Sequence, residues 1–300
     1  MMAHTPTSFS RCLPPTRTPR APCIDLPDGS IDTHVHVFDS RYPLSVQRGY
    51  EPPDSRLEHL TAMHKAIGID RVVLTQASIY GIDNQAMLDA CDALNSEAPG
   101  RARSVVAVAS SVTDQELADM HARGARGVRL NTDNAGGMPI GWEELPVLCE
   151  RIAALGWHIE FLFPGCDMVE LAPIIASLPV PACIGHFAYQ PACDGSATEG
   201  YEALLALLRD GNTWLKISGA DRVSAVGAPG YEDVAPLARA AIKANPERIM
   251  WGTDWPHPNK YDPAKVPDEG NLVDALGSWV DDPDMLHRIT VDNPQSFYDF

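Results

Sequence analysis

Two histidines stand one residue apart in the stretch SIDTHVHVFD, as His34 and His36. On a strand, residues i and i+2 project from the same face, so both imidazoles can reach one site. A third histidine, His186, ends the apolar run of PACIGHFA, and Asp254 stands in WGTDWPHPN. Three histidines and an aspartate suit one divalent metal, zinc first and manganese second, with a position open for water. A metal there would lower the pKa of water and polarise a carbonyl, and Asp254 is the candidate acceptor of the water's proton. The same set can also act without a metal, as a general-base site. Singly, each residue has a plainer reading: strand-end polarity for the pair, a core histidine, a turn cap. Their joint placement at the ends of three strands favours a site. Glu160 has the inward parity of His158 and Leu162. It is either a further ligand or a buried carboxylate paired with an arginine. His257, just past Asp254, stands near the substrate or behind the ligands.

The elements that must position these residues alternate along the chain. Strands are expected over 30–37, 71–76, 103–110, 125–132, 157–163, 181–188, 213–218 and 248–254. Helices are expected over 59–68, 84–98, 114–124, 142–155, 167–178, 199–210, 231–245, 271–280 and 283–290. Gly68 reads as a helix stop and Thr113 as an N-cap. Eight βα units point to a (β/α)₈ TIM barrel rather than an open doubly wound sheet. Runs such as RVVLTQ are apolar nearly throughout, as parallel strands covered on both faces must be. No Gly-rich phosphate loop follows a strand; GAPG at 227–230 lacks the spacing. A barrel carries its site at the C-terminal ends of its strands. The polar residues there are His34 and His36, Gln76 and Ser78, Arg126, Arg129 and Asn131, His186, Lys216 and Ser218 with Asp221 and Arg222, and Asp254 with His257.

Bulk composition bounds the partners. The 300 residues carry a net charge of −17, which argues against nucleic acid. A local arginine cluster still admits a small anionic substrate. Seven cysteines, an odd number without a CxxC pair, read as reduced thiols of a cytoplasmic protein. No apolar stretch is long enough for a membrane span. Residues 1–22 are basic and rich in Pro and Thr, without the apolar core of a signal peptide, and read as a loosely ordered arm on the barrel. Residues 23–300 form one barrel domain, as a monomer or small homo-oligomer.

IDTHVHVF, RGVRLN, IGHF and WGTDWPHPN resemble the amidohydrolase superfamily, from about Ile31 to Asn293. Within it they resemble the branch of 2-pyrone-4,6-dicarboxylate lactonase and sulfomuconolactone hydrolase. The resemblance implies a (β/α)₈ barrel and hydrolysis of a C–O or C–N bond, with decarboxylation in a neighbouring branch. By it, His34, His36, His186 and Asp254 match the catalytic set, with the aspartate activating water. Tyr50, Ser78, Arg126, Arg129 and Arg222 fall at substrate-contacting or nearby positions, and Tyr189 shapes the pocket. There are departures. Thr132 and Asp133 stand where the dicarboxylate lactonase has a further arginine, Tyr189 stands for another, and Leu162 replaces a tyrosine. Losing two guanidinium forks argues against a substrate with two carboxylates on a pyrone. The lack of a histidine where Leu162 sits argues against a two-metal centre. The expectation is a lactone hydrolase of aromatic-compound catabolism. Its substrate is a small anionic lactone, sulfomuconolactone-like ahead of 2-pyrone-4,6-dicarboxylate, with carboxylate or sulfonate groups on Arg129 and Arg222. The alternative is a metal-dependent decarboxylase of an unsaturated acid. A non-catalytic binding module would leave the His/Asp set without a task.

Overall fold

The computed structural model describes residues 9–300, so the first eight residues of the expected arm lie outside it. Eight parallel strands pair in chain order: β1 (Ile31–Val35), β2 (Arg71–Thr75), β3 (Ala102–Val106), β4 (Ala125–Asn131), β5 (His158–Leu162), β6 (Ala182–Ile184), β7 (Thr213–Lys216) and β8 (Ile249–Met250). The intervening helices are α1 (Leu57–Ile67), α2 (Gln85–Glu97), α3 (Asp114–Ala122), α4 (Leu145–Ala153), α5 (Met168–Ala176), α6 (Glu199–Asp210), a single-turn α7 (Ala220–Val223) and α8 (Ala235–Ala244). After β8 come α9 (Glu269–Trp279), α10 (Pro283–His287) and α11 (Asn293–Tyr298). This is the TIM-barrel fold. No helix among the described residues is long and apolar enough to cross a membrane.

Local chemistry sets the helix ends. Thr113 accepts from the Glu116 amide and Glu116 reaches back to the Thr113 N–H, a capping box that starts α3. Gly68 ends α1 in the left-handed region. The inner floor of the barrel is apolar: Ile31, Val73, Val105, Cys183 and Met250 pack against Tyr298 of α11.

The sheet closes between β1 and the segment after β8. Thr33 N–H donates to Trp251 O (3.2 Å), His36 N–H to Trp255 O (2.8 Å) and Asp254 N–H to His34 O (2.9 Å). These bonds set the two histidines beside the aspartate. Gly252 makes the approach possible, since a Cβ there would lie 2.7 Å from the His34 nitrogen.

The expected extents are corrected. β3 ends at Val106, short of residue 110. β6 and β8 end at Ile184 and Met250, short of residues 188 and 254. Beyond them the chain leaves extended geometry: His186, Phe187, Ala188 and Tyr189 have φ of 51°, 55°, 52° and 51°, and Asp254 has 64°. Side-chain hydrophobicity does not report such turns. A last helix, α11, lies beyond the expected end at 290. Asn293 ties it to the foot of β8 by donating to Pro246 O (2.8 Å) and Ile249 O (2.7 Å). In the described part of the arm, Cys12 N–H donates to Glu51 O, Leu13 N–H to Lys260 O, and Arg20 pairs with Asp274.

Candidate active site

Each of the three imidazoles is anchored from behind through Nδ1. His36 Nδ1 lies 2.7 Å from Thr75 O, His186 Nδ1 lies 2.9 Å from Ser218 Oγ, and His34 Nδ1 lies 3.3 Å from Glu160 Oε1. The Nε2 atoms converge on one oxygen. Asp254 Oδ1 is 3.5 Å from His186 Nε2, 3.8 Å from His34 Nε2 and 3.9 Å from His36 Nε2. The other oxygen, Oδ2, is held by Arg222 Nε at 2.5 Å. Asp254 Oδ1 and His34 Nε2 are buried without a hydrogen-bond partner.

Burial and charge set the protonation states. Burial pushes His36 down to about 3 and His186 to about 4, and pushes His34 well below the ordinary histidine value, so all three rings are neutral at pH 7. Burial opposes the charge of Asp254, but the Arg222 guanidinium outweighs it and holds the carboxyl well below its usual range. A carbonyl can only accept, so a neutral His36 carries its proton on Nδ1 and turns the Nε2 lone pair to the cavity. That tautomer cannot donate to a substrate oxygen. Of the two roles open to His36, ligand and carbonyl polariser, the ligand role fits.

The donor set suits a metal. Ligand atoms of His34, His186 and Asp254 lie within 4.8 Å of one another, and His36 reaches the same aspartate oxygen. Bonds of about 2.1 Å in a tetrahedron put ligands roughly 3.4 Å apart, close to the spacing around Asp254. A second group, Asp221, Asp254 and His257, is also compact. It shares Asp254 with the first group, and its own carboxylate, Asp221, is already paired with Lys260.

His36, Tyr50, Ser78, Arg129, Tyr189 and Arg222 line one cavity with His186 and Asp254. Asn131, Leu162, Asn134 and Asn259 also stand in the wall. Asn259 donates to Asn134 across the mouth at 3.1 Å, and the space beneath is about 20 Å³, room for one water. Arg129 donates to Gln76 O, and its buried Nε has no partner.

His34 reaches Asp254 without lining the cavity, and three further candidates do not line it either. Arg126 stands near the opposite end of β4, where it donates to His121 O and faces Asp299. Its place in RGVRLN puts it three residues below Arg129 on the same strand, at the barrel's foot. His257 is fully buried behind Asp254, with Nε2 3.1 Å from Glu269 Oε1. Glu160 is neither a ligand nor an arginine partner: its Oε2 meets Lys216 Nζ at 2.5 Å, and its Oε1 faces His34 from behind.

Sequence reading missed Asp32. Its Oδ1 accepts from Thr253 N (2.9 Å) and His34 N (3.2 Å), while Oδ2 accepts from Thr253 Oγ1 (2.5 Å). It therefore braces β1 against the Asp254 segment, where the β1–β2 register shifts between Asp32 and Val35. A charged residue inside an apolar strand was the available signal.

Residues 31–300 match a family model described as Amidohydrolase. A 2-pyrone-4,6-dicarbaxylate hydrolase of Comamonas testosteroni is 35% identical, with 93% of each chain covered. A 4-sulfomuconolactone hydrolase of Hydrogenophaga intermedia is also 35% identical, over 91% of this chain and 89% of that one. A D-galactarolactone isomerase of Agrobacterium fabrum is 32% identical, over 93% and 94%. By these matches the chain belongs to the amidohydrolase family, on the branch of its lactone hydrolases and isomerase.

Proposed function

We propose that this protein is an enzyme that opens a small anionic lactone by hydrolysis. The observation that carries the reading is the buried, ionised Asp254, with Oδ2 held by Arg222 and Oδ1 unpartnered among three imidazoles. Asp254 Oδ1 is the free acceptor. It orients a water toward the lactone carbonyl and takes the water's proton as the C–O bond forms. The ring oxygen then leaves, and the proton returns to it. Arg222 keeps Asp254 ionised and aimed. Arg129, a buried cation with an unpartnered N–H, holds a carboxylate or sulfonate on the substrate. Tyr50, Ser78 and Tyr189 shape the wall around the ring. His34, His36, His186 and Asp254 would hold one divalent metal, zinc or manganese. When bound, it supplies Lewis-acid stabilisation of developing negative charge and a lowered water pKa.

Among anionic lactones we place a sulfomuconolactone-like compound of aromatic catabolism first and 2-pyrone-4,6-dicarboxylate second. The support is the wall itself: Tyr189 lines the cavity at one of the positions where the dicarboxylate lactonase carries an arginine. Activity against a panel of carboxylated and sulfonated lactones, with product masses, tests the reading. A product heavier by one water supports it. A product of unchanged mass would mean isomerisation, and release of carbon dioxide would mean decarboxylation; either overturns it.

A further inference from the structure

The barrel holds a buried ion pair that the mechanism above does not use. Glu160 of β5 and Lys216 of β7 have side chains 2% and 0% exposed, and Lys216 Nζ lies 2.5 Å from Glu160 Oε2. A second bond runs from Lys216 Nζ to Thr33 O at 2.7 Å. Both residues border His34: Glu160 Oε1 and Lys216 Nζ each lie 3.3 Å from its Nδ1. Below them the inner floor is apolar, with Ile31, Val73, Val105 and Met250. An apolar pair of similar volume would fill this layer at no loss of stability, because two charges taken out of water cost more than their attraction commonly returns. Filling space does not explain the pair.

We infer that the Glu160–Lys216 pair is a positioning device, in which Glu160 accepts the Nδ1–H of His34 and so turns that ring's Nε2 lone pair to the cavity. The inference deepens the proposed active site and rests on His34 being part of it. The argument is a proton count. Lys216 has two firm acceptors, Glu160 Oε2 and Thr33 O, whatever His34 does. Glu160 Oε1 lies 3.3 Å from His34 Nδ1, and the Lys216 bond goes to the other oxygen, so a proton on Nδ1 would give Oε1 its donor. If His34 kept its proton on Nε2, Lys216 could donate to Nδ1, but a buried carboxylate oxygen would lose its donor. Leaving part of a buried charge unsatisfied is the costlier choice. The Nε2–H of that tautomer would also gain nothing, because Asp254 Oδ1 at 3.8 Å is beyond hydrogen-bond reach. With the proton on Nδ1, Glu160 is satisfied on both oxygens and His34 matches His36, whose tautomer Thr75 O dictates. Lys216, with Nζ 2.5 Å from Glu160 Oε2, supplies the charge that keeps Glu160 an acceptor.

The test uses the full chain after chelation, so that no metal dictates the tautomer. Ring-nitrogen NMR of the chelated, ¹⁵N-histidine-labelled protein at pH 7.5 reads the His34 tautomer, and lactone turnover is measured in parallel on protein purified without chelator. Two double variants keep the layer neutral: Glu160→Leu with Lys216→Met, which removes the acceptor, and Glu160→Gln with Lys216→Met, which retains one. The wild type should show the Nδ1–H form of His34. The Leu/Met variant should melt near the wild type, show Nε2–H, and lose about 10–100-fold in kcat with KM changed little. The Gln/Met variant should restore the Nδ1–H signal and most of kcat. A wild type with Nε2–H, or a folded Leu/Met variant that keeps Nδ1–H and full turnover, overturns the inference. If the wild type opens no lactone, the proposed function falls, while the tautomer still decides the positioning role.

Discussion

At the scale of single residues, the centre of the site is a division of labour between the two oxygens of Asp254. One is spent on Arg222, and the other faces the imidazoles. Asp254→Asn keeps the shape and removes the proton acceptor. It should lower kcat by about 10²–10⁴-fold in a protein with an unchanged circular dichroism spectrum; a kcat within a few-fold of the wild type would remove the base from the mechanism. The two arginines should behave differently, although the sequence puts them in one class. Arg129 has no acidic partner to lose, so Arg129→Met should raise KM by about 10–100-fold, the worth of one charged hydrogen bond, and leave kcat near normal. Arg222 is bonded to the catalytic carboxylate, so Arg222→Met should lower kcat as well as raise KM. Steady-state kinetics of both variants checks the contrast, and the same KM-only effect in each would place Arg222 on the substrate alone.

At the scale of elements, the period-2 and helical patterns locate the barrel units, because burial on both faces of a parallel strand writes itself into composition. They do not locate the departures from regular structure, and the site is built on those. Seven of the nine non-glycine residues with positive φ among the described residues fall in 186–189 and 254–259. These are the turns that carry His186, Tyr189, Asp254 and Asn259 to the mouth. Strain of this kind costs about 1–3 kcal/mol per residue and collects where function requires it. Arg126 shows the complementary failure: a strand-end motif names two arginines, and only the three-dimensional length of β4 separates the mouth from the foot. Asn134 and Asn259 meet only after folding, since 125 residues separate them. Asp32 and Lys216 were visible as polar residues on strands, but their partners lie on other strands.

The foot of the barrel carries a pH prediction. Burial pushes His158 of β5 down to about 3, and it packs against Phe297 and Tyr298. The unfolded chain takes up this proton near pH 6.5 and the folded chain does not until near 3, so the unfolded state binds more protons between those values. Stability therefore falls as pH drops below about 6.5, by up to about 1.4 kcal/mol per pH unit for each such group. His158→Leu should retain the fold and reduce the loss of melting temperature between pH 7 and pH 5. Equal losses in both proteins would mean that His158 is protonated in the fold.

At the scale of the whole molecule, a chain of net charge −17 carries buried cations around one anionic carboxylate at the mouth of its barrel. On the proposed reading, Arg129 gives the site its charge selectivity against the field of an acidic surface. The central claim is that water adds to a lactone carbonyl under the direction of Asp254. The most direct test is turnover of a carboxylated or sulfonated lactone in H₂¹⁸O, with mass spectrometry of the ring-opened product. The account predicts one ¹⁸O per turnover, located in the newly formed carboxylate, and almost none formed by Asp254→Asn. Label on the alcohol or enol oxygen, or a product with no label at all, would contradict it.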